Sequence, residues 1–295
     1  MKKLFVAAVL CITVLHACVA FAEATWDFEL PLSVVTNEYA VLVNRDHTLG
    51  SGDRPVNLVS TNVRKRSSAA VELDPVVAAA LETLFTDAAA TTEYIYRVKD
   101  SAGEWQNATF SDPKGMQLLL VSGYRSYNAQ YTIYQNYLER NNGKDDGISS
   151  PPGASEHQTG FACDVLSVQY NDSNEYMNDS FYQTAEAQWM EEFAPVYGFI
   201  IRYPKDKEDI TQVPYEPWHL RYVGREIAGY IKRSGLSLEE FTDEWQTALA
   251  RFLEDGGNVQ AQLLMESTMA PPEVESTVLD VYGEDGDPEV SLSLW

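Results

Sequence analysis

Two short stretches of this chain carry side chains able to hold a metal ion: Ser155-Glu-His-Gln-Thr-Gly-Phe-Ala-Cys-Asp164 and Glu216-Pro-Trp-His219. His157, Asp164 and His219 supply two imidazoles and a carboxylate, and Glu216 adds a second carboxylate just before the last histidine. Three N/O ligands, a fourth position open to water and a base to take that water's proton are what a catalytic zinc ion needs. The chain has only 4 histidines in 295 residues, so two in one such constellation are informative. The plain alternative, two unrelated histidines each held by a hydrogen bond, does not account for the paired motifs. No His-Glu-x-x-His helix is present, which excludes the common helical metalloprotease class. Arg125 is the candidate cation, either for an oxyanion developing on a scissile carbonyl or for a terminal carboxylate.

Both motifs need a sheet to present them. Phe161–Val168 has strand character and places Asp164 near its middle, with His157 just ahead of it. Trp218–Val223 is a second strand, and alternation puts Arg221 on the face of His219, where it serves a neighbouring carboxylate. Further strands are expected at Tyr39–Val43, Gln117–Ser122 and Gly198–Tyr203. Helices are expected after the Asp74 cap with Pro75 at the first position, after Ser126, over Thr184–Tyr197, and over 224–233 ending at Gly235. Arg125 thus falls at a strand–helix junction. Residues 91–116 read as a hairpin or insertion, and 141–153, 169–180 and 204–211 as loops. His47 reads as a hydrogen-bonded loop residue and Cys163 as a small buried strand residue. Strands and helices without regular alternation indicate an α+β fold: a small antiparallel sheet carrying the zinc site, flanked by helices.

Composition bounds the rest. Residues 1–22 have the form of a signal peptide: Lys2 and Lys3, an apolar run, then Ala20-Phe21-Ala22. The run is too short for a membrane span. A lipoprotein signal leaving a lipid on Cys18 fits poorly with His16. Loss of that segment removes Cys11 and Cys18, so Cys163 has no disulfide partner within the chain. It also removes two lysines and no acids, taking the formal charge from −23 to −25. Such a surface argues against nucleic acid or anionic lipid as partners and suits an extracytoplasmic protein. The main domain is read as 26–236, and 237–295 as an acidic C-terminal extension. Residues 236–295 hold 14 acids and one base, Arg251. Within them Leu238–Leu253 keeps helical spacing, the chain beyond Gly256-Gly257 reads as weakly structured, and apolar Val290–Trp295 could dock on the domain.

Three ordered motifs carry a family resemblance. Ser122-Gly-Tyr-Arg-Ser-Tyr127 with Gln130, Ser155-x-His-x-x-Gly-x-Ala-x-Asp164, and Tyr215-Glu-Pro-Trp-His-x-Arg-Tyr-Val-Gly224 are similar to the zinc D,D-carboxypeptidases of the VanY type. Arg202-Tyr-Pro-Lys-x-Lys-Glu-Asp-Ile-Thr211 and Leu42-Val-Asn-x-Asp-His47 fit as well, so the resemblance covers roughly 39–236. It implies removal of C-terminal D-alanine from peptidoglycan stem peptides. It also implies zinc on His157, Asp164 and His219, Glu216 as catalytic base, Arg125 as electrostatic stabiliser, and Tyr124, Gln130 and Ser155 against substrate. The 91–116 insertion, Cys163 and the acidic extension depart from the pattern without removing a catalytic group. The alternatives are an L,D-carboxypeptidase or endopeptidase on the same fold, and a non-catalytic module that binds wall peptides. Loss of Glu216 or of a ligand would mark the last, and all are present.

Overall fold

The computed structural model describes residues 24–66, 71–173 and 177–268. The signal peptide, Cys18 and the Val290–Trp295 segment lie outside the described residues. The chain begins with a short helix α1 (Leu32–Val35), then a one-turn 3₁₀ helix at Glu38–Ala40. Here the expected strand at Tyr39–Val43 is absent. The carbonyls of Tyr39 and Val41 accept from Nη2 of Arg221 at 3.0 and 2.6 Å, so they are committed to a guanidinium and not to a ladder. His47 is a hydrogen-bonded loop residue as expected, its Nδ1 3.1 Å from Oδ1 of Asn44.

Strands β1 (Val59–Ser60) and β2 (Glu72–Leu73) form a small ribbon. Helix α2 (Pro75–Ala90) follows, with Asp74 accepting from the amides of Val76 and Val77 and Pro75 where no amide donor is needed. The expected hairpin is β3 (Glu93–Lys99) paired antiparallel with β4 (Trp105–Ser111). Next come β5 (Leu118–Ser122) and α3 (Tyr127–Arg140), capped by Ser126. Strand β6 (Ala162–Ser167) ends earlier than its apolar run, because Val168 starts helix α4 (Val168–Ser173). Residues 169–180 are therefore partly helical and not wholly a loop, and a 3₁₀ turn runs from Asp179 to Gln183.

Helix α5 (Ala185–Phe193) tightens into a 3₁₀ turn at Ala194–Tyr197, where Pro195 sits. Strand β7 (Phe199–Ile201), the one-turn helix α6 (Glu208–Thr211) within the charged loop, and β8 (His219–Tyr222) complete the sheet region. Helix α7 (Arg225–Ser234) stops at Gly235 in the left-handed conformation, φ 68°. Ser237 and Glu240 form a capping box at the start of α8 (Leu238–Glu254). Beyond Gly257 a further helix, α9 (Val259–Thr268), stands where the sequence reads as weakly structured. Its Glu266 accepts from the amides of Leu32 and Ser33 at 2.9 and 2.8 Å, so it caps α1.

The site-bearing sheet has the order β5-β6-β8-β7, antiparallel throughout. Alternation divides its faces. Cys163, Val165, Leu220 and Phe199 pack with α2 and α5 in one core, and Cys163 is a buried free thiol as expected. Ile200 joins Val223, Ile227, Leu238 and Phe241 in a second core with α1, α7 and α8. Asp164 and His219 are left pointing away from the first core, and they are paired in register across β6 and β8.

Candidate active site

His157 precedes β6 in a 3₁₀ turn (Glu156–Thr159), which Gly160 closes at φ 76°. Its Nδ1 donates to the carbonyl of Gly123 at 2.7 Å, which aims Nε2 at Oδ2 of Asp164, 3.4 Å away. His219 offers Nδ1 to Oδ1 of Asp164 at 3.2 Å. The two imidazoles stand nearly perpendicular, at 87°, with centroids 5.0 Å apart. One ligand atom from each of His157, Asp164 and His219 lies within 4.8 Å of the others, and all three residues are buried.

The donor set fits zinc. It is a nitrogen–nitrogen–oxygen set of the borderline kind that zinc takes, one donor short of the usual four. Nε2 of His157 is buried without a hydrogen-bond partner, which an imidazole facing a cation explains. Burial pushes the His157 imidazole down to about 4, and the nearby Arg125 charge adds to this, so it is neutral and ligand-competent. Burial opposes the Asp164 charge, but His157 and His219 hold its carboxyl well below the usual range. For His219 burial is likewise outweighed, here by the facing carboxylates of Asp164 and Glu156, and the ring is held up to about 9.

Glu216 lies beside this set and outside it, Oε2 3.6 Å from Nδ1 of His219, with its side chain 18% exposed. Burial, with the Asp164 charge adding to it, pushes Glu216 up to about 7, a poise that suits a proton acceptor near neutrality. Arg125 is half-buried at the junction of β5 and α3, its Nη2 3.5 Å from the Ser155 hydroxyl and its Nε buried without a partner. Its amide donates to the His157 carbonyl at 3.1 Å, which ties the cation to the ligand turn. Tyr124 is half-buried beside it. Gln130 donates to the Ser150 carbonyl at 2.7 Å, and its buried Oε1 has no partner.

Sequence reasoning passed over Glu156, Arg202, Glu239 and Tyr203 as individual site residues. Glu156 is fully buried, and its Oε1 accepts from Nε of Arg202 at 2.7 Å and Nη1 of Arg221 at 2.6 Å. Arg221 therefore does serve a carboxylate, as its strand position suggests. Arg202 sends both remaining nitrogens to Glu239 of α8, at 2.8 and 2.6 Å. Tyr203 packs against His219 with ring centroids 4.9 Å apart. The available signal was Glu156 itself, an acid inside the ligand motif that is not one of the expected ligands and must find a cation if it is buried.

Gly123 makes the ligand geometry sensitive to a single methyl. A Cβ there would meet the Glu72 carbonyl oxygen and a Val71 methyl at 2.7 Å. Gly123→Ala should therefore destabilise the metal-free protein by about 1–3 kcal/mol in urea unfolding, the usual cost of overpacking.

The family model described as VanY, D-alanyl-D-alanine carboxypeptidase, matches residues 96–225. The putative carboxypeptidase YodJ of Bacillus subtilis (strain 168) is 47% identical over 133 residues, 44% of this chain and 47% of that protein, so the match spans about half of its length. The bifunctional D-Ala-D-Ala dipeptidase and D-Ala-D-Ala carboxypeptidase VanXYC of Enterococcus gallinarum is 31% identical over 164 residues, 54% of this chain and 83% of that protein. Among solved structures, the LdcB LD-carboxypeptidase superposes with a TM-score of 0.57 at 36% identity, covering 68% of this chain and 84% of that one.

Proposed function

The chain belongs to the VanY family of D-alanyl-D-alanine carboxypeptidases, and from that membership we propose a zinc-dependent carboxypeptidase that removes the C-terminal D-alanine of peptidoglycan stem peptides. The observation that carries the reading is the buried His157–Asp164–His219 set with Glu216 beside it and not in it. Zinc on these donors supplies Lewis-acid chemistry, polarising the scissile carbonyl and acidifying a water.

The protein's own residues do the rest. Glu216 takes a proton from the attacking water and returns it to the departing amine, so the peptide bond breaks to a carboxylate and free D-alanine. Arg125 stabilises the oxyanion or grips the terminal carboxylate, and Ser155, 3.5 Å from its Nη2, helps to place it. Tyr124 and Gln130 are assigned to substrate, the unpaired Oε1 of Gln130 being an acceptor for a substrate amide. Substrates of this kind lie outside the cytoplasm. That agrees with the signal-peptide form of residues 1–22, and no described helix is long and apolar enough to cross a membrane.

Similarity to the LdcB LD-carboxypeptidase supports a second reading, cleavage after the tetrapeptide stage. Defined pentapeptide and tetrapeptide stems separate the two by which one releases D-alanine. About one zinc per chain is expected by metal analysis of the purified protein, because three protein donors and a water close a tetrahedral set. A protein that stays metal-free in zinc and releases no D-alanine from either stem would refute the proposal.

A further inference from the structure

The buried charges behind His219 form a chain that ends outside the segment matched to the family model. Nε2 of His219 faces Oε2 of Glu156 at 3.7 Å, beyond hydrogen-bond length, and neither atom has any other partner. Both guanidiniums that neutralise Glu156 bind its other oxygen, Oε1. Arg202 can do so with only one nitrogen, since Nη1 and Nη2 are held by the two oxygens of Glu239. Glu239 is in turn buttressed by Nδ2 of Asn44 at 3.1 Å, and α8 is anchored beside it by buried Leu238 and Phe241.

We infer that Glu239 is a positioning residue for the metal site: by occupying Arg202 bidentately, it keeps Oε2 of Glu156 free as the acceptor for Nε2–H of His219. The reason is the geometry of the guanidinium. A carboxylate facing an arginine is normally bound in a two-pronged fashion. Without Glu239, the two Nη groups of Arg202 would be left buried and unpaired, and the unpartnered Oε2 of the carboxylate that Arg202 already binds is an open acceptor for them. A guanidinium bound across both Glu156 oxygens would occupy Oε2 and take it from Nε2–H of His219, which faces it now. The imidazole would then lose the contact that orients its Nδ1 toward the other ligands. Such supports of a ligating imidazole typically carry about 10–100-fold in metal affinity. The acid-rich segment after Gly235 thereby gains a role at the catalytic centre through its first helix.

The inference rests on the zinc reading and is tested on zinc binding, not on turnover. The probe is zinc itself, titrated into the full chain against a chromogenic chelator. Glu239→Gln should weaken zinc binding by about 10-fold, the lower end for outer supports. Removing the competing cation as well, in the double variant Glu239→Gln with Arg202→Met, should restore affinity to within about threefold of wild type, because Arg221 still neutralises Oε1 and Oε2 is free again. Glu240→Ala is the control: it breaks the capping box and the Lys207 pair of the same helix but touches neither Arg202 nor Glu156. It should lower the melting temperature and leave zinc affinity unchanged.

A folded Glu239→Gln with wild-type affinity would overturn the inference. So would a loss that the double variant fails to recover, which would make Glu239 only a clamp for α8. Should the single variant not fold, the double variant decides alone, and a loss beyond threefold in it overturns the idea. A wild type that binds no zinc overturns the metal reading and this inference together, and it is recognised before any substitution is made.

Discussion

Glu216→Gln should keep its zinc and lose nearly all turnover. Oε2 of Glu216 stands 3.6 Å from Nδ1 of His219, and the residue contributes no atom to the His157–Asp164–His219 set. An amide of the same shape therefore leaves the donors alone and takes away the carboxylate beside them that is poised to accept a proton. General acid–base assistance is worth about 10²–10⁴-fold, and a fall of that size in kcat is expected. D-alanine release from a defined stem peptide measures it, with zinc content assayed on the same sample. His157→Ala provides the contrast, since it should lose metal and turnover together. Hydrolysis at wild-type rate in the Glu216 variant would assign the proton transfer to another group.

Arg125→Ala should lower kcat/KM by about two to three powers of ten, the scale of losing one oxyanion donor, with zinc content unchanged. The guanidinium has one weak contact, 3.5 Å to the Ser155 hydroxyl, and a buried Nε with no partner. A cation so poorly satisfied in the free protein is available to an incoming anion. The C-terminal amide of the same peptide separates its two roles. If Arg125 binds the terminal carboxylate, the wild type discriminates against the amide and the variant does not. If it serves the oxyanion, both substrates slow in parallel. An Arg125→Ala enzyme that is fully active on both peptides would remove it from the mechanism.

The candidate metal donors were legible because each lies in a short motif whose residue types have one common chemistry. The helices that start at Pro75, Tyr127, Ala185 and Leu238, the third expected from Thr184, were legible for a related reason. Their caps, Asp74, Ser126, Thr184 and Ser237, sit within three residues of the amides they satisfy. Local hydrogen bonding and the periodicity of apolar residues are properties of neighbours in sequence, so they can be read before the chain is folded.

The departures have the opposite character. The apolar run at Tyr39–Val43 has the composition of a strand, but its carbonyls are claimed by Arg221, 180 and 182 residues away. Glu156 and Arg202 are 46 residues apart, and Arg202 and Glu239 a further 37, and no local pattern announces that these charges meet. Buried charges are tolerated only when they are paired and hydrogen-bonded, and that pairing is a condition on the whole fold. The sequence by itself therefore determined the chemistry proposed for the site, namely which groups are candidates to bind a cation, move a proton and meet an anion. Tertiary structure alone decided how those groups are aimed, because the direction of His219 depends on a row of ion pairs that exists only once β7, β8 and α8 have packed together.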